Sequence, residues 1–401
     1  MFLFSMKFAH MADCHIGGWR EPKLRALGYS AFEQAIDRCI SEKVDFVIIA
    51  GDLFNTALPA VEGLTIAVRK FRELQLAGIP VYLIAGSHDY SPAGKSMIEV
   101  LEHTGLFVNV SKGERVGDKL RLKFAIDSKT GVKLTGILGK RAGLDKKIYE
   151  QLDFESLEGE EGEKIFLFHN LLTEFKSKAL EKADSSPVSL LPKGFDYYAG
   201  GHVHIVEKRD FEGRKNVVYP GPLFPNSFSE LEELKGGGFY IVNDGEMERI
   251  SLNIKNVVNV LVNVDKMDVG LAEKKIREAL VIDVQDSVVL LRVRGVLESG
   301  RPSDIKFREM FSDLYDKGAY FVMKNIVKLE SKEFEAIKVE QGSVEEVEDR
   351  LIKEHLGQIK IKGDEEGLVK GLMGALSSEK FDGEKNADYE KRLRAEVSKL
   401  I

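Results

Sequence analysis

The sequence predicts an α/β protein built around a largely parallel sheet. Three observations lead there. Short apolar runs recur through the first part of the chain, amphipathic helical stretches lie between them, and the runs end in short motifs rich in Gly, Asp and His. Apolar strands that alternate with helices form βαβ units, whose parallel strands are covered by helices on the sheet faces.

The first run is Met6-Lys7-Phe8-Ala9-His10-Met11-Ala12, which ends in Asp13-Cys14-His15. A polar loop, Gly17 to Pro22, precedes an amphipathic helix over Leu24 to Glu42, with Leu27, Phe32, Ala35, Ile36, Cys39 and Ile40 on one side. The second run, Phe46 to Ala50, ends in Gly51-Asp52. Pro59 opens a helix that Gly78 and Pro80 close at about Ala77. The third run, Val81 to Ala85, ends in Gly86-Ser87-His88-Asp89, and helical spacing returns near Lys95 to Glu102. Leu120-Ile126 and Val132-Leu138 read as a hairpin around Ser128-Lys129-Thr130-Gly131, and Glu155 to Lys164 as an acidic solvated loop. Ile165-Phe166-Leu167-Phe168 ends in His169-Asn170, and Tyr197-Tyr198-Ala199 in Gly200-Gly201-His202-Val203-His204. Val206-Tyr219 and Gly238-Ile250 read as hairpins with turns at Glu212-Gly213 and Asp244-Gly245.

A compact α+β pattern follows from near Val257: strands at Val258-Val264, Ser287-Val293 and Tyr320-Ile326, and helices at Leu271-Leu280 and Pro302-Lys317. From about Leu329 the chain turns charged and helical. Val344 to Ile359 and Leu368 to Leu376 carry apolar residues at helical spacing, either packed on each other or kept for a partner, and Tyr389 to Ile401 is a further charged helix or a frayed tail. The expected division is therefore 1–255, 256–330 and 331–401.

Composition narrows the class. A chain of 401 residues with 43% hydrophobic and 31% charged residues describes a soluble globular protein of two or three domains. A net charge of -7 argues against a generally basic nucleic-acid coat, although local patches and bound metal can supply positive field. Two cysteines form no disulfide framework, which favours a reducing cytosol, and Cys14 is expected to pack in the core because side chains alternate along a strand. No apolar run approaches the ~20 residues of a membrane span. The leader Met1 to Ser5 lacks the basic region of a signal peptide, and Met6 is a second candidate start.

Five of the eight histidines, His15, His88, His169, His202 and His204, sit in the strand-end motifs; His10, His103 and His355 do not. Together with Asp13 and Asp52 they would converge where α/β proteins place their sites, at the carboxyl ends of parallel strands. A glycine beside the ligands lets the backbone turn sharply. Mixed imidazole and carboxylate suits Mn²⁺, Fe²⁺ or Zn²⁺ better than Ca²⁺. There are enough ligands for two ions, which a shared carboxylate such as Asp52 would hold ~3.5–4 Å apart.

The motifs Asp13-x-His15, Gly51-Asp52, Gly86-Ser87-His88-Asp89, His169 and Gly201-His202-Val203-His204 resemble those of the calcineurin-like metallophosphoesterase superfamily. The forms Ala12-Asp13-Cys14-His15-Ile16-Gly17, Gly51-Asp52-Leu53-Phe54-Asn55 and Tyr197 to His204 resemble one branch of it, the meiotic-recombination-eleven/SbcD family of double-strand-break repair nucleases, in its archaeal-like short form. The resemblance implies a four-layer αββα sandwich, a small α+β DNA-capping domain and C-terminal helices that bind an ATPase. It implies one ion on Asp13, His15, Asp52 and His204, and a second on Asp52, Ser87, His169 and His202, typically with two Mn²⁺ ions and with Mg²⁺ or another divalent ion as a substitute. His88 would orient or protonate the phosphate and leaving group. The implied activity is a manganese-dependent DNA exonuclease and single-strand endonuclease that processes break ends with an SMC-like ABC ATPase, as a cytoplasmic, nucleoid-associated homodimer. In that family the dimer forms through nuclease-domain helices, which correspond here to the stretches near Pro59-Lys70 and Lys95-Leu106.

Two departures stand out. Ser87 occupies the position of the family's metal-binding Asn, and Asn55 the position of a second active-site His. Ser87 keeps open a binding scaffold with an impaired second metal site; another phosphoesterase of the same superfamily is the remaining alternative. Arg20, Lys23, Arg25, Lys95, Lys140 and Arg141 are candidate phosphate contacts, and Trp19 either stacks on a base or covers its own loop.

Overall fold

The structure, a computed structural model, describes residues 6–91, 96–140, 146–332, 364–378, 380 and 386–400. Its strands and helices are labelled in chain order. The first sheet collects β1 (Lys7–Met11), β2 (Phe46–Ala50), β3 (Val81–Ile84) and β4 (Val108–Asn109) in parallel. The helices α1 (Pro22–Ser41), α2 (Val61–Leu76) and α3 (Met97–His103) connect them. Pro22 starts α1, where its missing N–H is one of the unpaired first-turn groups anyway. Leu24, Leu27, Phe32, Ala35, Ile36 and Cys39 then form the buried stripe that the spacing predicts.

The segment after α3 departs from expectation. The strand read at Leu120-Ile126 is broken in two. β5 (Gly113–Val116) and β6 (Lys119–Leu122) form a separate antiparallel ribbon, and only β7 (Ala125–Ile126) pairs with β8 (Lys133–Gly136). Asp127 shapes the turn between β7 and β8 by accepting from the backbone N–H groups of Lys129 and Thr130. Beyond α4 (Lys146–Glu150), the acidic stretch read as a loop begins instead as α5 (Phe154–Glu158), capped by Asp153.

The second sheet has the order β11-β12-β10-β9-β8-β7. It contains β9 (Lys164–His169) and β10 (Tyr197–Gly201), which run parallel, and the hairpin β11 (Val206–Phe211) and β12 (Arg214–Pro220). After α6 (Phe228–Leu234), the hairpin β13 (Gly237–Asn243) and β14 (Glu246–Leu252) returns to the first sheet, where β13 pairs antiparallel with β1. The period of two sorts the side chains into layers. Val47 and Ile49 of β2 pack under the helices, while Phe46, Ile48 and Ala50 face the second sheet. In β9, Ile165 and Leu167 face the first sheet, and Phe166 and Phe168 pack outward against Tyr149, Leu157 and Phe175. The result is helices, sheet, sheet and an outer layer of short helices and loops, an α/β sandwich of four layers.

A third sheet follows. β15 (Asn256–Asn263), β16 (Ser287–Leu297) and β17 (Phe321–Asn325) are parallel, with α7 (Val269–Ala279) and α8 (Phe307–Asp316) between them. One face, with Val289, Leu291 and Val293, packs under α7 and α8; the other presents Val257, Val288 and Leu290 to the core beneath α1. The chain is not helical at once after Leu329, because β18 (Leu329–Ser331) pairs with β16.

The chain divides into two compact units between Glu330 and Ser331. In the second, helices at Glu365–Leu376 and Asn386–Val397 pack together. The Tyr389 hydroxyl donates to the Ser378 carbonyl at 3.0 Å, and a Cβ on Gly371 would lie 2.9 Å from Leu400. The stretch Val344 to Ile359 lies outside the described residues. No described helix is long and apolar enough to cross a membrane.

Candidate metal centre

The carboxyl ends of β1, β2 and β3 in the first sheet meet those of β9 and β10 in the second. There the backbone takes an uncommon shape. Asp13, His15, Asp52, His202 and His204 all have positive φ, between 42° and 97°. Non-glycine residues seldom adopt this left-handed region, and such outliers gather at functional sites. The sharp bends turn side chains out of the strands and into a cleft of about 1160 Å³.

Two clusters result. The ligand atoms of Asp13, His15 and His204 lie within 4.8 Å of one another, as do those of Asp52, His169 and His202. In the first, His15 Nε2 is 3.0 Å from His204 Nε2, and His204 Nε2 is 3.8 Å from Asp13 Oδ1. In the second, His169 Nε2 is 3.2 Å from Asp52 Oδ2. Asp52 links them, since its Oδ2 is also 3.7 Å from His15 Nε2. His88 forms a third grouping with His15 and Asp52. Its Nδ1 donates to the Asn55 carbonyl at 2.8 Å, and its backbone N–H donates to Asp52 Oδ1 at 2.7 Å. Ser87 is buried, with its Oγ 3.5 Å from Asp52 Oδ2.

The residues fit divalent cations. His169 Nδ1 donates to the Ala50 carbonyl at 2.8 Å, which leaves Nε2 as the nitrogen that is buried and aimed at a carboxylate. A ligating imidazole is typically fixed in this way through its other nitrogen. Two imidazole Nε2 atoms 3.0 Å apart with carboxylates on either side likewise call for a positive charge between them. All the donors are nitrogen or oxygen, because Cys14 is buried in the hydrophobic core as expected.

Electrostatics point the same way. Burial pushes His15 down to about 3 and, with the neighbouring His169, His202 down to about 4, so both rings offer lone pairs. His169 behaves oppositely. Burial opposes its charge, but Asp52, Asp13 and the Ala50 carbonyl outweigh that and lift it to about 10. Without a metal, a proton takes the cation's place beside Asp52. Burial raises Asp13, against the pull of His204. Burial also acts to raise Asp52, but His169 and His15 hold it well below the ordinary carboxylate range.

Close packing fixes the rings. A Cβ at Gly51 would lie 2.2 Å from His169 Nδ1, and one at Gly139 2.4 Å from its Cδ2. One at Gly86 would lie 2.2 Å from Asp52 Oδ1. Only glycine allows these approaches. Two further residues hold the site together: Asp89, which closes the motif Gly86-Ser87-His88-Asp89 without an expected role of its own, and Glu230, which lies outside every motif. Asp89 accepts from the backbone N–H groups of Leu53, Phe54 and Gly86 at 2.9–3.0 Å and ties two ligand loops together. Glu230 accepts from His204 Nδ1 at 2.9 Å. Burial acts to raise Glu230, but His204, the Asn226 amide and the Ser227 hydroxyl bring it down to about 2. The one sequence sign of Glu230 is its place three residues after Ser227, the spacing of a helix capping box.

The expected phosphate contacts separate. Lys140 lines the cleft, whereas Lys95 and Arg141 lie outside the described residues. Lys23 is occupied elsewhere: its Nζ donates to the Tyr320 carbonyl at 3.1 Å and lies over the rings of Tyr315 and Tyr320. Arg20 and Arg25 are not among the described lining residues. Trp19 is partly buried against the first core and donates to the Pro225 carbonyl at 2.9 Å, which ties its loop to the segment before α6.

Comparison with known proteins agrees with this geometry. The calcineurin-like phosphoesterase family matches residues 6–206. The DNA double-strand break repair protein Mre11 of Archaeoglobus fulgidus is 25% identical across 98% of this chain and 95% of its own length. Its namesake in Methanococcus maripaludis is 27% identical across 87% and 91%, and that of Methanocaldococcus jannaschii 29% across 68% and 73%. The family match begins one residue before β1 and ends two residues beyond His204, so it encloses all the strand-end Asp and His residues of the candidate centre; the chain belongs to the calcineurin-like phosphoesterase family.

Proposed function

We propose that this protein is a metal-dependent DNA nuclease, manganese being the expected ion, that processes double-strand-break ends. The observation that carries the reading is the convergence of imidazole nitrogens and two carboxylates at the ends of five strands. The likeness to archaeal repair proteins along nearly the whole chain supports the choice of substrate.

In this reading Asp13, His15, Asp52 and His204 hold one ion, and Asp52, Ser87, His169 and His202 hold the other. When bound, the ions neutralise the phosphate and acidify a water for attack. The chain's own residues do the rest. Asn55 and Asp52 fix His88 through its Nδ1 and its backbone N–H, which leaves Nε2 as the atom that would pass a proton to the leaving oxygen. Lys140 adds charge at the rim of the cleft. Residues 256–330 cap the DNA, and the helices beyond 331 bind an SMC-like ABC ATPase. The protein acts as a homodimer through α2 and α3, where Val61, Leu76 and Val100 are exposed, as is Leu58 just before α2.

Ser87 favours a second reading, a scaffold whose second site holds metal poorly. Cleavage of linear duplex DNA with and without Mn²⁺ separates the two. Cleavage that requires Mn²⁺ and disappears in Asp13→Ala supports the nuclease. DNA binding without cleavage at saturating Mn²⁺ supports the scaffold, and neither activity sends the search to other phosphoesters.

A further inference from the structure

Glu230 lies in the first turn of α6, outside every motif. Its Oε2 accepts from His204 Nδ1 and from the Asn226 backbone N–H, both at 2.9 Å, and its Oε1 accepts from the Ser227 hydroxyl at 3.1 Å. A carboxylate only accepts, so the shared proton sits on Nδ1, and in the neutral ring that a cation requires Nε2 carries the lone pair. That Nε2 is the atom facing His15 and Asp13.

The same short helix is gripped from its other side. Two residues further on, about 200° around the helix, Glu232 pairs with Arg292 of β16 at 2.6–3.0 Å. The Glu232 carbonyl accepts from Asn259 of β15 at 2.7 Å, and the Arg292 guanidinium lies 5.0 Å from the centre of the Phe228 ring. α6 is thus held between the candidate metal centre and the third sheet.

We infer that Glu230 is a positioning residue: it fixes the tautomer and ring orientation of His204 for a cation, and the Arg292–Glu232 pair holds it in place from the third sheet. The inference rests on the ligand role proposed for His204. Glu230 acts through that ring and touches no substrate.

The test uses the full chain. In the metal-free protein, nitrogen NMR of labelled histidines, assigned with His204→Asn, should find His204 protonated on Nδ1. Calorimetry with Mn²⁺ alone gives the affinity. Glu230→Gln keeps an acceptor and should stay within a few-fold of the parent in affinity. Glu230→Ala should lose the tautomer preference and bind Mn²⁺ ~10–100-fold more weakly, the range for losing a partner behind a ligand. Glu230→Met, which keeps the volume, replaces Glu230→Ala if that variant does not fold. Arg292→Met should weaken binding in the same direction by less. Ser227→Ala removes the helix cap and should lower Tm with the tautomer unchanged. An unchanged tautomer and affinity in the acceptor-free variant overturn the inference, as does an equal loss in Ser227→Ala, which would make Glu230 merely a capping residue. If the parent chain binds no Mn²⁺, the nuclease reading fails, and the tautomer measurement still decides on Glu230.

Discussion

The two halves of the candidate metal centre are built differently. Around Asp13, His15 and His204, hydrogen bonds set the geometry: the His202 backbone N–H donates to both Asp13 oxygens at 3.0 Å, and Glu230 backs His204. Around Asp52, His169 and His202, steric closure does more of the work, because backbone at Gly51 and Gly139 leaves the His169 ring no room to move. The second half also contains Ser87, whose hydroxyl reaches less far than a carboxamide oxygen would from the same backbone position. Backbone held this closely cannot shift to make up the difference. The comparison teaches that the two halves should bind metal unequally.

The largest effect expected is at His88, which lies between the halves. His88→Ala should lower nuclease turnover by ~10²–10⁴-fold, the usual worth of a general acid, with Mn²⁺ stoichiometry and DNA affinity held. Because His88 also clusters with His15 and Asp52, loss of an ion in the variant, read by calorimetry or anomalous scattering, would make it a ligand instead.

Ser87→Asn should raise Mn²⁺ affinity at the weaker half by at least ~10–100-fold, with a matching fall in the Mn²⁺ needed for cleavage. Two ions bound equally at micromolar Mn²⁺ in the unaltered chain, and no change in Ser87→Asn, would erase the asymmetry.

Protons should report it more gently. With His169 lifted to about 10, above the ordinary histidine value of 6.5, the metal-free fold holds the full benefit of its imidazolium below 6.5 and loses it as pH rises through about 10. A cation must displace that proton. Mn²⁺ affinity at the Asp52–His169–His202 half should therefore climb about tenfold per pH unit across that window. In the other half His15, already neutral, adds no such slope, and His204, where burial opposes the charge but Asp13 and Glu230 raise it on balance, is the ring that gives up a proton. Calorimetry at pH 8 in buffers of different ionisation heat should detect proton release, and its absence in the second-half titration would mean that His169 is neutral.

The smallest effect expected at the site comes from the other end of the chain. Cutting after Lys332 keeps β18 paired with β16. Cleavage of simple DNA should change less than about twofold, since surface changes away from core features are near neutral, while co-purification with the ATPase is lost. A truncated chain that unfolds, or that still binds the ATPase fully, would assign those helices to the core.

How far the sequence discloses all this depends on the kind of contact. Asp13, His15, Asp52, His169, His202 and His204 are legible because each ends an apolar strand, and parallel strands bring their ends together. The departures lie where local pattern and tertiary pairing compete. Leu120-Ile126 has one strand's period but two partners, so the ribbon with Gly113–Val116 leaves no local mark. Glu155–Lys164 is acidic throughout, and nothing in its charge marks the turn of helix that Asp153 caps. Gly139 and Glu230 matter through neighbours 30 and 26 positions away, a distance no periodicity reaches.

The left-handed bends have a further consequence. Each of the five non-glycine residues at the candidate centre that adopt one is strained by ~1–3 kcal/mol relative to an ordinary conformation. Glycine would relieve the strain at every one of these positions, and in doing so would delete a side chain of the candidate metal centre. Selection for thermal robustness and selection for chemistry therefore pull these five codons in opposite directions.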